Sequence, residues 1–366
     1  LTISQTNLEL EKDITLTSDE ALSFVTLDLN DFKLTLGSST SDLTVENAIT
    51  IDASTEGMLT GGADLLLSAL TLSAGDVTST GGLVSLSGGG QLSGTGKLDV
   101  SGSTWVLGGD FEKSSGTLTI SETDLALAGN SKLTSDQALS FVTLNLNNYI
   151  LTLGSSTSDL TVINAITIDA STEGISTGEA DLILMSAFIM SDGKLESSGG
   201  TIKFAHGQTS KFSGNAFLML DDTLLTSDDG IGIAFIEIDG EPDLSMTDSS
   251  QISYITLSTT SGTVGSISTS GITNWEYCVI NCTGFTETGA YGFNTHGLYR
   301  NVTSANWMLS ESPGERKTAT LTVKLLSRPE SDVQVVLSSS DLSEATLDKY
   351  LLSFTPSTWN QTQQLT

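Results

Sequence analysis

The chain has 366 residues and carries 44 acidic against 14 basic side chains, a formal net charge of −30. Nucleic acid and anionic lipid surfaces both need clustered Lys and Arg, so this balance excludes either as a partner. The 38% of hydrophobic residues recur at fixed spacing, unlike those of a disordered acidic tail, and no run of 18 or more apolar residues offers a transmembrane helix.

The chain opens on a strand pattern, Leu1-Thr2-Ile3, with no basic-then-apolar leader, and closes on another, Gln364-Leu365-Thr366. It therefore reads as a mature piece or a fragment of something longer. Residues 1–67 align with 118–184 at a constant offset of 117, with 49 of 67 positions identical. Leu34-Thr35-Leu36-Gly37-Ser38-Ser39-Thr40-Ser41-Asp42-Leu43 returns unchanged as Leu151 through Leu160. The likeness fades after one inserted residue, which predicts two blocks, 1–117 and 118–234.

Inside each block short triplets recur: Leu34-Thr35-Leu36, Leu43-Thr44-Val45, Ile49-Thr50-Ile51, Leu70-Thr71-Leu72. Apolar residues flank a polar one, the period of two that marks a strand with one buried face. Gly, Ser, Asn and Asp fill the gaps, and these are turn formers. A sandwich would not accept a clean 117-residue duplication. A solenoid does, because each coil touches only its neighbours. The predicted fold class is all-β, a parallel β-helix over residues 1–300, with about six coils of roughly 20 residues in each block. Leu34, Leu36, Leu43, Val45, Ile49 and Ile51, and their counterparts Leu151, Leu153, Leu160, Val162, Ile166 and Ile168, are expected to point inward in equivalent coils. Thr35, Thr44, Thr50, Thr152, Thr161 and Thr167 are expected to face out.

The best acidic group is Asp221-Asp222 with Asp228-Asp229. Solvated turns are the bland reading. A Ca²⁺ site is the sharper one, since hard cations take several carboxylate oxygens, although the spacing matches no known calcium loop. Ca²⁺ is the one cofactor this pattern suggests. The two histidines, His206 and His296, each sit in a turn sequence away from any nucleophile motif, so no catalytic residue is assigned. Aromatics gather near 274–300 (Trp275, Tyr277, Tyr291, Phe293, Tyr299), with Trp307 just beyond. This is read as a cap on the solenoid, with a sugar-binding platform as the alternative. Cys278 and Cys282 are either a local disulfide across a turn or two free thiols. Asn281, Asn301 and Asn360 head glycosylation triplets.

From 301 the strands lengthen. Leu321-Thr322-Val323-Lys324-Leu325, Pro329, Val333 to Leu337, Ser343-Glu344-Ala345-Thr346 and Leu352-Ser353-Phe354-Thr355-Pro356-Ser357-Thr358-Trp359-Asn360 follow in order. This run resembles the immunoglobulin-like or Calx-β-like modules of large bacterial secreted proteins. The resemblance implies a small β-sandwich over 301–366 whose last strand lies beyond Thr366. The solenoid resembles filamentous-haemagglutinin-type adhesin rods at the level of architecture. Together these features lead to the expectation of a non-catalytic structural protein, extracellular or on the cell surface, as an adhesin stalk or filament subunit. The expected partners are other copies met head to tail, further modules of the same chain, or surface glycans. A carbohydrate-binding or carbohydrate-degrading β-helix is the rival reading.

Overall fold

The computed structural model describes residues 6–228 and, beyond them, 234–239, 243–247, 250–253, 255–259, 267–268, 274–276, 279–281, 299–300, 321–323, 332–337, 347–358, 361 and 363–365. The expected parallel β-helix is what the chain forms. Short strands follow one another and most pair, in parallel, with the strand three places on, so three strands make one turn. The stack has three faces. The first runs over six strands from Ile14–Leu16 to Thr117–Thr119, then over seven from Leu139–Phe141 to Asn274–Glu276. The second runs over seven strands from Leu22–Phe24 to Leu144–Asn145, then over seven from Ile166–Ile168 to Tyr299–Arg300. The third begins with Asn7–Glu9 against Thr26–Asp28 and continues as one eleven-stranded sheet from Ile49–Ile51 to Ile267–Ser268.

Alternation decides which side chains enter the core. Ile14, Leu34, Met58, Val77, Leu98 and Leu118 stand in register as one inward column, and Thr15, Thr35, Leu59, Thr78, Asp99 and Thr119 as the outward column beside it. All twelve apolar residues expected to point inward are buried, and the six threonines between them are not. Each buried Leu or Ile removes enough apolar surface to contribute about 1.5–3 kcal/mol relative to an exposed one.

The corners are polar but satisfied. Ser79 and Ser103 share a 3.0 Å hydroxyl bond inside the stack, and the Thr223 hydroxyl bonds Ser197 at 2.9 Å. Where a strand begins, an Asp from one turn accepts from the next turn's backbone: Asp64 N donates to Asp42 at 2.9 Å, and Leu83 N donates to Asp64 at 2.8 Å. The second copy repeats this with Asp159, Asp181 and Thr201.

The copies do not occupy equivalent coils. From Ile14–Leu16 to its counterpart Ser131–Ser135 the chain passes through seventeen strands. At three strands per turn that is five and two-thirds turns, not six. The second copy is therefore rotated by one face. Ile49–Ile51 lies on the third face, but its counterpart Ile166–Ile168 lies on the second, and the third face at that level is taken by Ile150–Leu153. The core accepts this because an inward Leu, Ile or Val triplet fits any of the three faces.

Each copy also carries a break. Asn30 and Asp31 have φ of 47° and 68°, and Asn147 and Asn148 have φ of 50° and 69°. Phe32 N donates to Leu29 O at 2.8 Å, and Tyr149 N to Leu146 O at 2.9 Å. Two left-handed central residues inside such a bond make a type I′ turn, which Asn and Asp tolerate. The strands before these turns, Thr26–Asp28 and Leu144–Asn145, end their sheets, and Ile49–Ile51 and Ile166–Ile168 begin new ones.

Towards the C-terminus the described residues hold two antiparallel pairs. Leu321–Val323 pairs with Gln363–Leu365, and Val333–Val336 with Leu351–Phe354, where Leu352 and Phe354 are buried against Val335, Leu337 and Leu347.

Candidate functional site

Asp221 ends the strand Phe217–Asp221, and Asp222 follows at φ 48° in the turn. The Asp221 carbonyl accepts from the Thr223 hydroxyl at 2.8 Å. Asp228 sits one strand further on, its side chain nearly buried, and its Oδ1 accepts from His206 N at 2.8 Å and faces His206 Nδ1 at 3.0 Å. His206 is thus tied to a carboxylate on the adjacent turn. Asp229 lies outside the described residues. Among the described residues no three His, Cys, Asp or Glu side chains come together as a metal-binding group.

Trp275 lies in the strand Asn274–Glu276, paired with Ile252, and Tyr299 in Tyr299–Arg300, paired with Val279, both in parallel. Asn281 ends the strand Val279–Asn281. Tyr277, Cys278, Cys282, Tyr291, Phe293, His296, Asn301, Trp307 and Asn360 lie outside the described residues.

Among the described residues the outer surface holds a pair of depressions that sequence reasoning did not single out, and they occupy matching places in the two copies. One, about 230 Å³, is lined by Lys33, Thr35, Leu59, Asp76 and Thr78. The other, about 320 Å³, is lined by the counterparts Ile150, Thr152, Ser176, Lys194 and Glu196, with Asn130 and Lys132 at its rim. Each spans a strand whose first outward position is glycine. Gly57 stands between Lys33 and Asp76, and Gly174 between Ile150 and Lys194. A Cβ on either glycine would lie 2.8 Å from the carbonyl oxygen of Asp76 or Lys194, so the backbones approach where no side chain fits. The repeated Thr-Glu-Gly at 55–57 and 172–174 was the available signal.

Comparison with protein-family models, with curated proteins and with solved structures returned no match. The chemistry of these depressions therefore rests on their own residues. The first carries an ion pair, Lys97 to Asp76 at 3.6 Å, and the second Lys194 to Glu196 at 2.9 Å. Both are open, hydroxyl-bearing surfaces with paired charges, suited to weak polar contact. The one-face rotation sets them on different sides, the first on the first face and the second on the third.

On the second face Lys211 bonds Asp239 at 2.9 Å. That hydrogen bond, against a smaller opposing effect of desolvation and with the charges of Asp239 and Glu237 adding to it, holds the ammonium above its ordinary pKa of 10.5.

Proposed function

We propose that this chain is the rod of an extracellular surface protein, a stalk or filament subunit that works by spanning distance and not by catalysis. The observation that carries this reading is the duplicated block. A 117-residue segment has been copied and stacked at a new rotational setting while the third face runs on through the junction. A protein whose task is length gains from such copying, since each turn interacts only with its neighbours. On this reading residues 1–300 form the solenoid and 301–366 an immunoglobulin-like module. Head-to-tail contact with another copy, or further modules of the same chain, extends the stack, since an uncovered strand edge invites pairing.

The test is excision of one block, residues 14–130, followed by electron microscopy. The shortened protein is expected to fold and to be shorter by about 27 Å, from five and two-thirds turns at ~4.8 Å each. Loss of the folded state, or of a polysaccharide-cleaving activity present in the full chain, overturns the reading. A second reading, carbohydrate binding, draws on the two depressions. Glycan-array binding lost on Gly174→Val, with the fold retained, would favour it.

A further inference from the structure

Over most of the stack each turn rests on the next through all three faces. Leu70–Leu72 lies on Gly90–Leu92, Asp76–Thr78 on Lys97–Asp99, and Leu83–Leu86 on Thr104–Leu107. The boundary between the copies is different. There the turn that begins at Phe111 rests on its successor through Phe111–Lys113 on Leu133–Ser135 and through Leu125 and Ala126 on Leu144 and Asn145. On the first face Thr117–Thr119 ends its sheet and Leu139–Phe141 starts the next, so that ladder is interrupted. One turn later comes the second copy's own break, on the second face between Leu144–Asn145 and Ile166–Ile168, which repeats that between Thr26–Asp28 and Ile49–Ile51 in the first copy. Only the third face runs through both levels.

Side-chain bonds join the two turns at this boundary, one of them on the interrupted first face and the others beside the ladders that remain. The Lys113 ammonium reaches the Asp136 carboxylate. Gln137 Nε2 donates to Leu118 O at 3.3 Å, the Thr143 hydroxyl to Asp124 at 2.6 Å, and Asn147 Nδ2 to Leu127 O at 2.9 Å. The core at this level is aromatic. Trp105 meets Phe111 edge-on at 4.8 Å between ring centroids and Phe141 at 6.1 Å, and its indole nitrogen is buried without a hydrogen-bond partner. Ring contacts of this kind set local packing angles, whereas a strand ladder fixes the register of whole turns.

In a solenoid, stability is close to a sum of turn terms and nearest-neighbour interface terms. One weak interface therefore divides the stack into separate cooperative units. We propose that the copy boundary is a built-in joint: the two copies unfold as separate units, articulated about the third face, and between the uninterrupted stretches 57–107 and 174–213 local opening is confined to residues 117–149. The duplication supplies both the joint and the segments on either side of it.

The experiment is hydrogen exchange of the full chain read by mass spectrometry across a urea series. Peptides from 57–107 report the first copy and peptides from 174–213 the second. Two distinct midpoints are expected. Gln137→Ala and, separately, the nearly isosteric Thr143→Val are each expected to speed exchange across 117–149 by about fivefold or more, in line with loss of one side-chain bond of about 1 kcal/mol. The midpoint of the more stable copy should not move. A single midpoint shared by both copies in the unaltered protein overturns the proposal, and that measurement requires no variant to fold.

Discussion

Lys113 stands at an inward position of the third face, in register above Leu92, Leu72 and Ile51 of the preceding turns. Its side chain is 3% exposed, while Asp136, which receives its ammonium, is 45% exposed. Replacing Asp136 with Ala leaves a buried ammonium without its carboxylate. Breaking a fully buried pair costs about 3–5 kcal/mol. Water reaches the Asp136 side of this pair, which lowers the expected loss to about 1–3 kcal/mol. Lys113→Met should behave differently, because it extends a column of apolar side chains and removes the charge that needs a partner. It is expected to be neutral or to stabilise by about 1–2 kcal/mol. In the double variant, Asp136→Ala should cost nearly nothing, so the two changes couple strongly. The assay is urea unfolding followed by hydrogen exchange in peptides covering 104–141, for the four members of the cycle. If Lys113→Met costs more than Asp136→Ala, the apolar-column argument is wrong.

Three further outcomes follow from the same geometry. Leu43→Ala should cost about 2–5 kcal/mol in urea unfolding and Thr44→Ala within about 0.5 kcal/mol, since one leaves a core cavity and the other trims an outward position. Glu173 is buried and accepts from Asn148 N and Asp169 N at 3.0 Å each, tying the type I′ turn to the far side of its break. Glu173→Ala should cost about 2–4 kcal/mol in chemical unfolding, and equal stability of variant and parent would refute that role. The Lys211–Asp239 pair raises the folded pKa of Lys211, so its contribution is present in full below the unfolded value of 10.5 and fades as pH rises through the folded value. Asp239→Asn should flatten that alkaline loss in a pH series of melting temperatures.

Much of the fold could be read from the triplets. In Leu43-Thr44-Val45 the period of two states which side chains share a face, and burial of the apolar pair follows from water alone, whatever the neighbouring turn contains. The type I′ turns were signalled only weakly: Asn30-Asp31 and Asn147-Asn148 look like any polar gap until their φ angles are known. The candidate sites were less legible. Asp228 appeared as one of a run of carboxylates, yet its partner is His206, 22 residues away on the adjacent turn. Lys113 occupies an apolar slot that alternation marks clearly, but nothing local points to Asp136.

By itself the amino-acid order determined the strand alternation, the parallel stacking and the 117-residue duplication, because these depend on local period and on self-similarity. Only the tertiary structure decided the rotation between the copies. Alignment counts residues, whereas the face a strand joins depends on how many strands the corners have made before it. Seventeen is not a multiple of three, so identical sequences such as Ile49-Thr50-Ile51 and Ile166-Thr167-Ile168 lie on different faces. The interrupted ladders at the copy boundary come from the same source. A strand's partner is chosen by what lies one turn away, and that distance along the chain is set by the geometry of the corners.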